Sequence, residues 1–108
     1  MSDSGIQQKP EVIARFINAV SVGVDAARQD PARAAAVLKA QWAGSPPIEV
    51  ITRQVNETLN AIPVIAGRKA GWIDAASITD ALELLKEGGE FDEIKPLAAY
   101  YTNALVEK

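Results

Sequence analysis

A chain of 108 residues, 48% of them hydrophobic, is one domain's worth of polypeptide, enough for a single core and too little for two. Its formal charge of −3 argues against a partner such as nucleic acid, which needs clustered Lys and Arg. Having neither Cys nor His, it has no disulfide, no thiol nucleophile, no Ser-His pair and none of the usual zinc ligands. An enzyme is therefore not expected, nor a cofactor, nor a metal site.

Residues 1–9 (MSDSGIQQK) are polar and read as a disordered tail or an expression remnant. They lack the apolar segment of a signal peptide, and no later run is long enough to insert in a membrane. Pro10 suits a first helical position. Over 11–29, Val12, Ile13, Phe16, Ile17, Val20 and Val24 share a broad stripe from which Glu11, Arg15, Asn18, Ser21 and Asp25 fall away. Gly23 lies inside that stripe, where a neighbouring helix could approach closely.

Asp30-Pro31 is a capped restart, with Asp at the N-cap and Pro at the first helical position. In the Ala-rich segment that follows, Ala34, Ala35, Leu38 and Trp42 line one side, and Gly44 ends it. A third helix over 47–61 carries Ile48, Ile51, Val55, Leu59 and Ile62 in a narrow stripe. Glu49, Arg53 and Glu57 face water, and their four-residue spacing favours an ion-pair ladder along the helix. Pro63 breaks it.

After an ambiguous stretch over 64–70, Asp74 reads as the N-cap of a fourth helix with Ile78, Ala81, Leu82 and Leu85 on one face. Asp80, Glu83 and Glu87 lie opposite, and Gly88-Gly89 supplies a left-handed stop. Residues 74–93 hold seven acids against one base, which leaves the remainder at +3. Pro96 opens a last short helix over 97–106. No period-two alternation of useful length appears. The fold class expected is all-α and bundle-like: four main amphipathic helices plus a short C-terminal one, in a single helical domain over 10–108.

Candidate chemistry is thin. Glu87, Glu90, Asp92 and Glu93 lack the order of a calcium loop and read as a solvated acidic face. Gly67-Arg68-Lys69-Ala70-Gly71 could hold an anion on its backbone and two cations, but it lacks the ending of a phosphate loop and reads as an exposed linker. Trp42 and Trp72 sit where large side chains would plug helix junctions, and of Tyr100-Tyr101 only one need be buried.

Several pieces recur in a telling order: D-P-A-R-A-A-A-V-L (30–38), then a Pro-started helix with Ile51 and Leu59. G-W-I-D (71–74), L-L-K-E-G-G-E-F (84–91) and Y-Y-T-N-A-L-V (100–106) follow. Together, from about Val12 onward, they resemble the C-terminal portion of ABC-transporter periplasmic solute-binding proteins of the nitrate/sulfonate/taurine class, whose relatives also bind thiamine precursors. The resemblance implies the last third or so of a two-lobed α/β receptor, without its sheets, hinge strands or most ligand-contacting loops. No ligand residue of the family transfers to a position here, so the ligand-binding set is unknown and no catalytic or metal residue is assigned.

On that reading the chain is non-enzymatic and transport-related. The partners expected are the missing lobes or another copy of itself, and a transporter permease. It is periplasmic if part of a secreted protein, and cytoplasmic if Met1 is the true start. The alternative is a free-standing helical interaction module that oligomerises, or meets a basic partner through its acidic helix face. In either case six large apolar residues on the 11–29 helix need cover, each forfeiting about 1.5–3 kcal/mol if left wet.

Overall fold

The computed structural model describes residues 2–107 and is all-α. Its helices are α1 (Asp3–Gln8), α2 (Pro10–Gln29), α3 (Pro31–Gln41), α4 (Ile48–Ala61) and α5 (Ala75–Glu87), followed by a single 3-10 turn at Leu97–Ala99. Met1 of the expected tail and Lys108 of the expected domain lie outside the described residues.

The helix boundaries follow from capping chemistry. Ser2 accepts from the Gly5 N–H and starts α1, a short helix with no buried residue where the sequence reading expects a disordered tail. Asp30 ends α2 and caps α3, its Oδ1 accepting from the Arg33 N–H at 3.0 Å while Pro31 takes the first position. Asp74 caps α5 through Ser77, backbone and hydroxyl together. At the other end of α5 the Glu90 N–H reaches the Leu85 carbonyl and the Gly89 N–H the Lys86 carbonyl, both at 3.0 Å. These are the two bonds of a Schellman stop. Only Gly89 is left-handed, with φ 79°, while Gly88 keeps a helical −74°.

The core lies where α3 meets α4, with Ala35 and Ile51 at its centre, Ile51 only 1% exposed. The remaining buried apolar residues are Ala14, Leu82, Leu105 and Val106. α2 packs on α3 and touches α4 more lightly. The Arg28 guanidinium ties its C-terminal end to the Ile62 carbonyl at 3.2 Å. Lys39 holds the α3–α4 turn by donating to the carbonyls of Ser45 and Pro46. α5 runs beside the Leu97–Ala99 turn and, among the described residues, close to no other helix.

Three further expectations give way. The last helix is one 3-10 turn instead of ten residues, because 101–106 is drawn into a tertiary clasp described below. The Glu49–Arg53–Glu57 ladder does not close: among the described residues the ion pairs are Asp25–Arg28 and Arg68–Glu107. No atom comes within 4 Å of a Cβ built on Gly23, so no neighbouring helix uses that gap.

The bundle is open. The chain exposes 8001 Å², where a compact monomer of its 11.5 kDa would expose about 5,800 Å². Its radius of gyration is 17.0 Å, against about 13 Å for a compact domain of this length.

Candidate functional site

Among the described residues, large exposed apolar side chains occur on α3, α4 and α5 and in greatest number on α2. Its buried positions are the small Ala14 and Ser21, one turn-pair apart, with Ile13, Ile17 and Val24 half-buried. The large residues that should seek cover do not find it: Phe16 is 65% exposed and Val20 50%, with Val12 exposed as well. Small side chains let α2 approach the rest of the bundle on one flank, and the oily stripe is left rotated outward on the next.

Two apolar cavities share this stripe. One, of about 360 Å³, opens between α2, α3 and α4 over Val24, Ala34, Leu38, Ile51, Val55 and Leu59. The other, of about 560 Å³, lies between the first half of α2 and the end of the chain, over Phe16, Ile17, Ile73 and Val106. Val20, Val24 and Ile62 border both, so the two form one continuous trough with Trp42 at one end and Trp72 at the other. Its polar lining is Gln54, Thr58 and Thr102, and no titratable side chain faces it. Such a surface can bind by shedding water from carbon. It offers nothing that moves a proton or attacks a bond.

The second feature is a clasp. The Asn103 carboxamide donates to the Ile73 carbonyl at 2.8 Å and accepts from the Ile73 N–H at 2.9 Å. One side chain thereby satisfies both backbone groups of a residue 30 positions away, in the manner of a strand partner. It joins the G-W-I-D and Y-T-N-A-L-V segments, just ahead of the buried Leu105 and Val106.

The other candidate residues fall apart as chemistry. In the Gly67–Gly71 turn both glycines are left-handed, with φ 73° and 97°. The two cations, however, are turned onto the protein's own groups: Arg68 stacks 3.7 Å over the Trp72 ring and pairs with Glu107 at 3.3 Å. Lys69 reaches the Asn18 Oδ1 at 3.2 Å. Glu87, Glu90, Asp92 and Glu93 are all exposed, and among the described residues no three acids gather as a metal site would require.

Trp72 is half-buried beneath Arg68, whereas Trp42 is 50% exposed at the mouth of the trough and plugs no junction. Tyr101 is half-buried; Tyr100 is exposed, its hydroxyl accepting from the Lys95 N–H. The Asn103 clasp is the residue-level feature that sequence reasoning missed. An Asn inside an expected helix carried no mark of its partner.

Comparison with known proteins brings no match at any of three levels, whether family model, curated protein or solved structure. Among the described residues no helix is long and apolar enough to cross a membrane.

Proposed function

We propose that the chain is the C-terminal helical segment of an ABC-type solute-binding receptor of the nitrate/sulfonate/taurine class, non-enzymatic and unable to bind solute by itself. The observation that carries this is the Asn103 clasp. Two of the motifs on which the resemblance rests, far apart in sequence, act as one physical unit. The trough along α2 is the complementary support: in a two-lobed receptor it is the seat for the absent lobes. A full receptor of this kind works in the periplasm and delivers its solute to a permease.

The test is a chimera carrying residues 10–108 in place of the last third of a taurine-binding or nitrate-binding receptor. Soluble chimeras that retain solute binding are expected. Failure to fold, or folding without binding, in both receptors would sink the reading.

A second reading, a free-standing interaction module, is favoured by α5 alone. That helix stands apart from α2–α4 and exposes Asp80, Glu83 and Glu87. A basic partner retained at low salt and released at high salt would support it.

A further inference from the structure

We infer that the isolated chain pairs with a second copy of itself through the open stripe of α2, antiparallel, about a two-fold axis between Val20 and Gly23. The stripe runs Ile13, Phe16, Val20, Gly23, Ala27, exposed at its middle three positions and half-buried at its two ends. Its spacing is three, four, three, four, the repeat of a coiled-coil seam. The flank buried within the chain is a different one, centred on Ala14 and Ser21.

Antiparallel pairing about that axis sets Phe16 of each copy against Ala27 of the other, and Val20 against Gly23. Phe16 and Val20 thus each meet a small side chain, while Ile13 comes opposite the partner's Asp30 at the rim of the seam. Parallel pairing would set Phe16 on Phe16 and Gly23 on Gly23, a crowd beside a hole. The space over Gly23, clear to 4 Å, then has an occupant. The partner's Phe16 enters the 360 Å³ cavity beside Ala27.

Area supports the same occupant. Against the compact expectation each chain exposes about 2,200 Å² too much. A standard interface takes about 800 Å² from each partner, so the excess leaves room for one. Between Phe16 and Ala27 the seam carries no charge, so its centre meets its symmetry copy without repulsion, and Asp30 at the rim faces Ile13 and no like charge. The inference rests on the open stripe and not on the receptor reading, so a failed chimera and a failed dimer are separate outcomes.

Sedimentation of the purified 108-residue chain at micromolar concentration tests it, with the expected species twice the 11.5 kDa monomer. Val20→Glu places two like charges beside the axis and should weaken pairing by at least roughly 100-fold with helical content kept. Leu84→Glu, on α5, should leave pairing unchanged. Because the chain has no cysteine, Val20→Cys and Val22→Cys each carry a single thiol, and both sites are at least half exposed in the monomer. A short bifunctional thiol reagent should link Val20→Cys copies at least about tenfold faster than Val22→Cys copies. This second readout stands even if Val20→Glu disturbs folding. A monomer at all concentrations, or equal linking rates at the two sites, overturns the inference.

Discussion

Asn103 shows how one side chain can outweigh local preference. A helix over 97–106 would satisfy its own backbone, yet it would withdraw the carboxamide from Ile73, whose part-buried N–H and carbonyl both bond to Asn103 in the clasp. Asn103→Ala leaves both groups without a partner and should cost about 2 kcal/mol in urea unfolding. Asn103→Asp keeps the acceptor and loses the donor, so it should fall between the two. A cost under about 0.5 kcal/mol for Asn103→Ala would show that the clasp is incidental. Ile51 provides the contrast: at 1% exposure, Ile51→Ala removes buried methyl groups and should cost about 2–5 kcal/mol.

At the scale of elements, caps decide where helices start and stop, and packing decides which of them are firm. Asp74 has no substitute at the head of α5, so Asp74→Ala should lose about 1 kcal/mol of local stability. Among the described residues α5 packs on no other α-helix, whereas α3 and α4 share the core. Amides that open locally exchange sooner where few buried contacts hold them. Hydrogen exchange in α5 is therefore expected at least about tenfold faster than around Ala35 and Ile51. Equal protection in the two regions would mean that α5 is covered by something its own chain does not supply.

For the molecule as a whole, the shortfall in burial is the governing fact. A chain this open gains stability from whatever covers it, and association does so by mass action. The melting temperature should rise with protein concentration. Added salt should change it little, because the stripe from Phe16 to Ala27 is uncharged while the exposed Arg68–Glu107 pair contributes little either way. A concentration-independent melt would argue that the stripe along α2 stays wet.

How far could this be read beforehand? The all-α class, the four main helices, both Asp caps and the stop after α5 follow from the residues, because capping and 3.6-residue periodicity act within a few positions of the chain. So does the surplus of apolar surface, which is a matter of counting. Which flank of α2 turns inward was decided by Ala14 and Ser21, small enough for close approach, against the pull of Phe16 and Val20. The fate of 97–106 was decided by Ile73, and the exposure of Trp42 by the gap beside it. Each of these is a contest between a local preference and a contact with a distant segment, and only the tertiary structure brings the distant segment into place.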